Sequence, residues 1–259
     1  MKIRVIPRLD IKGPNVVKGI HMEGLRVVGS PKDLARKYYE QGADEVIVMD
    51  IVASLYGRSP DFDLMRSIAN ELFIPLTMGG GIQSLHDINN FLRAGADKVA
   101  INTFATCNPK LLAEAVHQFG SQCIVLSVEA KRTSTGSVPP GTWEAYIDGG
   151  REHSGKDAIT WIKQALDLGV GEILLTSVDF DGTKKGFDSE LLAAVTSFCP
   201  VPVVIHGGAK DATSLTQAIK EGKADAVCIA SILHYDEWTI GNLKKELTKN
   251  SIPTRKSIL

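Results

Sequence analysis

Two carboxylates end apolar, β-branched runs in this chain. Asp10 closes Val5-Ile6-Pro7-Arg8-Leu9-Asp10, and Glu129 closes Ile124-Val125-Leu126-Ser127-Val128-Glu129, at an offset of 129 − 10 = 119 residues. A pair of carboxylates in matched settings suits proton transfer, with one acting as acid and the other as base. Lys18 and Lys131 are basic candidates close by in sequence, and Asp50 and Asp179 end further runs. An isolated acid at a strand end more often serves as a cap or salt-bridge partner. Two glycine turns form a second pattern. Gly79-Gly80-Gly81 and Gly207-Gly208-Ala209 are each completed by a small hydroxyl donor from the adjoining strand, in Asn102-Thr103 and Ala230-Ser231. Turns without side chains expose the backbone N–H groups that cradle phosphate, and a neighbouring hydroxyl adds a donor. Asp181-Gly182-Thr183 can join the second cup. Glycines that merely permit sharp turns are the plainer reading. Their occurrence in duplicate points instead to two phosphate cups, and so to a ligand with phosphate at both ends.

The elements that must hold these residues alternate along the chain. Strand-like runs lie near 3–10, 46–51, 74–78, 97–102, 123–129, 171–177, 201–206 and 225–230. Helical patterns lie near 31–41, 60–73, 84–94, 109–119, 155–168, 188–198, 211–221 and 239–249. Ser30-Pro31, Ser59-Pro60, Ser84, Asn108-Pro109, Ser154 and Asp211 read as helix starts. Gly42, Gly95, Gly120, Gly169 and Gly222 read as stops. Eight strand–helix units in 259 residues predict an α/β fold, a single (β/α)8 TIM barrel over residues 1–259. Pro7 inside the first strand predicts a local bulge. The halves resemble each other: Pro75 to Gly80 parallels Pro202 to Gly208, and Ala96-Asp97 parallels Ala224-Asp225. Two half-barrels, about 1–122 and 123–259, account for this. The stretches 11–29 and 132–153 become long loops at the C-terminal face, where barrel enzymes place their active sites.

Alternation puts Arg4, Ile6, Arg8 and Asp10 on one face of the first strand. If Asp10 faces the barrel interior, Arg4 lies at the bottom, within reach of Glu45, Lys98 and Glu172, which begin strands 2, 4 and 6. The four alternating charges predict a ring plugging the barrel, whose simpler role is a stabilising salt-bridge network. His206 borders a glycine turn, but the six histidines show no metal spacing. Cys123 reads as a core residue, and Lys244-Lys245-Glu246 with Lys249 as a solvated helix face. A net charge of −1 gives no field for nucleic acid or membrane, and no apolar run is long enough to span a bilayer. Four scattered cysteines without CxxC suit a reduced, cytoplasmic protein without structural zinc.

The segments Leu9-Asp10-Ile11-Lys12, Val16-Val17-Lys18-Gly19, Gln41 to Glu45, Pro75 to Ile82, Arg93 to Val99, Phe119 to Ile124, Gly171 to Ser177, Asp181-Gly182-Thr183 and Gly222 to Ala226 resemble the HisF family, the cyclase subunit of imidazole glycerol phosphate synthase. The resemblance runs over essentially the whole chain. It implies the (β/α)8 fold and a lyase of histidine biosynthesis with no metal or redox cofactor. Such an enzyme takes ammonia from a HisH glutaminase in a heterodimer. It converts the bisphosphorylated ribulosyl aminoimidazole carboxamide ribotide to imidazole glycerol phosphate and aminoimidazole carboxamide ribotide. By position, Asp10 matches the catalytic aspartate and Lys18 the loop-1 lysine. Gly81, Asn102 and Thr103 match one phosphate site; Asp181, Gly182, Gly208, Ala230 and Ser231, with Gly207 in the same turn, match the other. Arg4, Glu45, Lys98 and Glu172 match the ammonia gate. Two residues depart from the family: Glu129 stands where it has a second aspartate, and Arg8 where it usually has cysteine. A coupled pair of changes, with Arg8 salt-bridged to Glu129 or Asp10 and lowering that acid's pKa, is the expectation. The same departures leave open a paralogue that amidates a surface-polysaccharide sugar with glutaminase-derived ammonia, and a non-catalytic barrel that only activates a glutaminase. A ribulose-phosphate isomerase of the HisA type shares the half-barrel repeat but not the charged ring.

Overall fold

The computed structural model describes residues 2–134 and 136–255. Eight parallel strands close on themselves: β1 (Arg4–Lys12), β2 (Val46–Asp50), β3 (Leu76–Gly79), β4 (Lys98–Ile101), β5 (Ile124–Arg132), β6 (Glu172–Ser177), β7 (Val203–His206) and β8 (Ala226–Ile229). Each pairs with its neighbours in chain order, and β1 pairs with β8 to complete the ring. Helices α1 (Pro31–Glu40), α2 (Phe62–Ala69), α3 (Leu85–Arg93), α4 (Pro109–Phe119), α5 (Ala158–Asp167), α6 (Ser189–Thr196), α7 (Ala212–Lys220) and α8 (Ile240–Lys249) form the outer layer. The fold is therefore the (β/α)8 barrel.

The pleat sorts the strand residues into two cores. Val5, Leu9, Val48, Leu126, Val128 and Leu175 pack outward against the helices. Ile6, Ile47, Val125, Leu174, Val204 and Cys228 fill the barrel interior. The repeated Ala-Asp pair now has a structural reason: Asp44, Asp97 and Asp225 each accept the N–H that opens a neighbouring strand, from Val5, Leu76 and Val203, at 2.8–2.9 Å. Those donors lie near the strand bottoms in buried residues and would otherwise be without partners.

Several local expectations need correction. The register runs unbroken through Pro7, with no bulge. β1 pairs with β8 through residues 4–7 and with β2 through residues 8–11, so Pro7 sits where pairing changes hands. The caps of α2 and α5 are Asp61 and Asp157, not Ser59 and Ser154, because each aspartate accepts the N–H three residues on. The stretches read as loops are antiparallel hairpins, Asn15–Ile20 with Glu23–Gly29 and Trp143–Ile147 with Glu152–Asp157, which extend β1 and β5. Lys244 is buried, not solvated: its ammonium donates to Asp44 Oδ1 and to the Gly42 carbonyl, each at 2.7 Å. Among the described residues no helix is long and apolar enough to cross a membrane, and no three His, Cys, Asp or Glu side chains group as metal ligands. The four cysteines are free.

Candidate active site

The two carboxylates stand at the C-terminal mouth of the barrel, both almost fully buried. Asp10 ends the inward face of β1. Its Oδ1 accepts from Arg8 Nε at 2.7 Å, one pleat below. Arg8 is wholly buried and reaches across the barrel, where its Nη1 donates to Thr176 Oγ1 on β6 at 3.1 Å. Burial opposes the charge on Arg8, but Asp10 foremost, with Glu129 further off, outweighs it, and the guanidinium stays protonated. The expected salt bridge thus forms, and Asp10 is its partner.

Glu129 has a different environment. Its Oε2 accepts from the neutral amide of Asn102 at 2.9 Å. Burial pushes its pKa up to about 7; Arg8 opposes this, while the negative charges of Asp10 and Asp181 add to it. Near neutral pH Glu129 is therefore poised between acid and carboxylate, which is where a general acid works best. Asn102 also donates to the Tyr146 carbonyl at 3.2 Å, so the second hairpin helps fix that amide.

The glycine cups lie on either side. The first is a small hollow lined by Gly80, Gly81, Asn102, Thr103 and Glu129 among others. The second, smaller still, is lined by Asp181, Gly182, His206, Gly207, Gly208, Ala230 and Ser231 among others. The two share one backbone. Gly80 and Gly207, 127 residues apart, have φ of 103° and 93°. A Cβ on either would lie 2.2 or 2.5 Å from a carbonyl oxygen, of Asp50 or Ser177, which are themselves 127 apart. Neither turn tolerates a side chain. Asn102 and Ala230 likewise match, at φ −124°, ψ −89° and φ −130°, ψ −78°, and each precedes a short helix opened by a hydroxyl, Thr103 or Ser231.

The other candidate side chains have partners of their own. Lys18, on the first hairpin, points at neither Asp10 nor Glu129; its ammonium is buried against both oxygens of Asp181, at 2.6 and 2.7 Å. Burial pushes Asp181 up, but Lys18 foremost, then His206, hold it well below the usual carboxylate range. Burial, and then Arg8, lower the pKa of His206. The hairpin folds down here, with His21 N donating to the Asp181 carbonyl at 2.8 Å. Asp50 is the salt-bridge partner of Arg58 at 2.8 Å, and Asp179 accepts from Arg132 N at 2.7 Å, so both carry the plainer roles. Lys131 lies over the Tyr146 ring.

At the opposite end of the barrel the four charges close a ring. Arg4 bonds Glu45 at 2.8 Å and also Glu172, and Lys98 bonds Glu45 at 2.6 Å and Glu172 at 2.5 Å. Thr77 adds a hydroxyl to Glu45 at 2.6 Å. Sequence reading had missed Thr77, Thr176, and the tie between Asn102 and Glu129. Period-2 counting back from Glu129 raises Ser127, and counting forward from Glu172 raises Thr176.

The model of the family described as histidine biosynthesis protein matches residues 4–239. A curated relative, "Imidazole glycerol phosphate synthase subunit HisF" of Legionella pneumophila, is 55% identical over 206 residues, covering 80% of this chain and 95% of its own.

Proposed function

The chain belongs to the histidine biosynthesis protein family, and we propose that within it this barrel performs the ammonia-dependent cyclase step, a carbon–nitrogen lyase reaction that releases imidazole glycerol phosphate and aminoimidazole carboxamide ribotide. The observation that carries this reading is a pair of buried carboxylates in unlike environments, flanked by two glycine cups of one geometry. A ribulosyl substrate with phosphate at each end lies across the mouth, with its terminal groups on the backbone N–H groups of the cups. Ammonia adding to the ribulosyl carbonyl forms a carbinolamine. Its hydroxyl departs as water once protonated, and its nitrogen must shed a proton. Glu129, half-protonated at neutral pH, supplies the first proton, and Asp10 takes up the second. The Lys18–Asp181 pair ties the first hairpin over the second cup, so Lys18 acts by closing the site.

The ring of Arg4, Glu45, Lys98 and Glu172 faces away from the carboxylates, and there we place a HisH-type glutaminase, with the ring as the gate that admits its ammonia. The cytoplasm, where free cysteines stay reduced, is the compartment that suits this role. Purified protein given the ribulosyl substrate and an ammonium salt tests the reading without the partner. Saturable formation of imidazole glycerol phosphate is expected, and no turnover at high ammonium would overturn it.

A further inference from the structure

The two cups share one backbone but differ in charge. The second holds Asp181, whose carboxylate is met by the Lys18 ammonium at 2.6 and 2.7 Å, with His206 Nε2 beside it at 3.4 Å. The first is lined by two carboxylates, Asp50 and Glu129, and among the described residues by no lysine, arginine or histidine. Asp50 has its counter-charge from a residue that does not line the hollow: Arg58 Nη2 donates to both of its oxygens, at 2.9 and 2.8 Å. Glu129 has none. It accepts from the neutral Asn102 amide at 2.9 Å, and the Gly150 N–H faces it from the second hairpin. The charged groups around it lie elsewhere. Arg8, on β1, is bonded to Asp10 and reaches Glu129 only through space, while Asp10 and Asp181 are like charges. Lys131, two residues on along β5, has its ammonium over the Tyr146 ring at 5.1 Å, and the neighbour of Glu129 on β6 is the neutral Thr176.

A phosphate seated on the Gly80–Gly81 turn thus shares a small hollow with a carboxylate that no cation contacts. A neighbouring like charge disfavours the ionised form, most of all in a confined space. Of the two anions, the acid is the better base: a phosphate monoester gives up its second proton near pH 6, by about one unit the lower of the two. The donor count points the same way. Both N–H groups of Asn102 are taken, by Glu129 and by the Tyr146 carbonyl, and its oxygen accepts from Thr106. The Thr103 hydroxyl accepts from Asp148 N at 3.0 Å and keeps its own hydrogen to give. A carboxylate only accepts, whereas a carboxylic acid has one hydrogen to donate. Protonation converts the lining group that repels the phosphate into one that can bond it.

We propose that filling the first cup drives a proton onto Glu129, so that the ribulosyl substrate protonates its own general acid as it binds. This rests on the cyclase reading and adds an order of events: the acid is loaded by occupancy and held ready only in a filled site. The second cup, where Lys18 already neutralises Asp181, takes its phosphate without a proton.

Calorimetry of the full chain with sodium sulfate, run in two buffers of unlike ionisation enthalpy, counts the protons taken up on binding. Sulfate has the shape of phosphate and stays a dianion throughout the range, so any proton goes to the protein. For an acid that starts near 7 and rises by about one unit, uptake should be about 0.4 proton per chain at pH 7 and vanish near pH 5.5. Affinity for sulfate in the first cup should fall about fivefold from pH 6 to pH 8 by the same linkage. Glu129→Gln keeps the shape of the side chain and cannot titrate, so the uptake should disappear and the affinity should stay level with pH. Sulfate binding by the parent without proton uptake overturns the inference and leaves the cyclase reading standing. Uptake that persists in Glu129→Gln also overturns it, because another group then takes the proton. If the parent binds no sulfate at all, the cups are not anion sites, and the cyclase reading falls together with the inference.

Discussion

Glu129→Gln separates the cost of the buried acid from its use. Burial holds Glu129 near pKa 7 in the folded protein, against an ordinary value of 4.5. Between these values the folded chain keeps a proton that the unfolded chain has released, so stability falls as pH rises through that window and is level above it. A difference of about 2.5 units, at about 1.36 kcal/mol each, makes the folded state about 3 kcal/mol less stable at pH 8 than at pH 4.5 through this one group. Glutamine has nearly the same shape, retains an oxygen that can accept from Asn102, and does not titrate. The variant should therefore match the parent near pH 4.5 and exceed it increasingly towards pH 8. The gain in melting temperature there should reach several degrees, on the scale of about 2–4 °C per kcal/mol for a chain of this size. Cyclase activity should fall by at least about 10²-fold, the usual contribution of a general acid. Thermal unfolding of both proteins at half-unit steps of pH reads the first effect, and kcat reads the second. A stability difference that stays flat across pH, or a variant less stable at pH 8, would refute the assignment of the raised pKa.

Two further outcomes follow from buried ion pairs. Glu45→Gln leaves Arg4 and Lys98 each short of a carboxylate, and should cost about 3 kcal/mol in urea unfolding; if the gate reading holds, it should change glutamine-driven turnover more than turnover with ammonium salt. Lys18→Met frees Asp181 and the first hairpin, so limited proteolysis should cut near residues 20–24 faster than in the parent, and KM for the ribulosyl substrate should rise with little change in KM for ammonia.

The barrel was legible because its signals are local and repeated. Serine and aspartate caps, glycine stops and β-branched runs recur along the chain, and each needs only neighbours in sequence to be recognised. The errors fell where a distant contact decides. Asp61 and Asp157 take the caps because the chain turns two and three residues later than the nearest serine suggests. Gly222 is needed less as a helix stop than for closeness: a Cβ there would meet Leu192 at 2.3 Å, and the left-handed residue is Lys223. Lys244 sits in a lysine-rich helix and still points inward, because Asp44 waits 200 positions earlier in the chain. The ring of four charges could be assembled from strand starts alone. The destination of Lys18 could not, since a hairpin must first fold over Asp181.

The duplicated frame also explains how two similar carboxylates come to differ. The backbone of the cups repeats closely from one half to the other, so the positions of Asp10 and Glu129 are set by the barrel. What differs is the small set of groups around them. Asn102 is an amide and offers Glu129 a neutral donor, while its counterpart Ala230 offers nothing. Arg8 bonds to Asp10 and reaches Glu129 only through space, while its counterpart Ser127 carries no charge. The Arg8 cation is thus spent on the first strand, and the acid of the fifth strand keeps its proton up to about pH 7. A longer side chain there has a use as well. Shortening Glu129 to aspartate draws the carboxylate back by about 1.5 Å, one C–C bond, and so out of hydrogen-bond range of Asn102, which it now meets at 2.9 Å. At the two positions that depart from the usual family pattern, the arginine bonds one member of the pair, and the extra methylene carries the other to an uncharged partner.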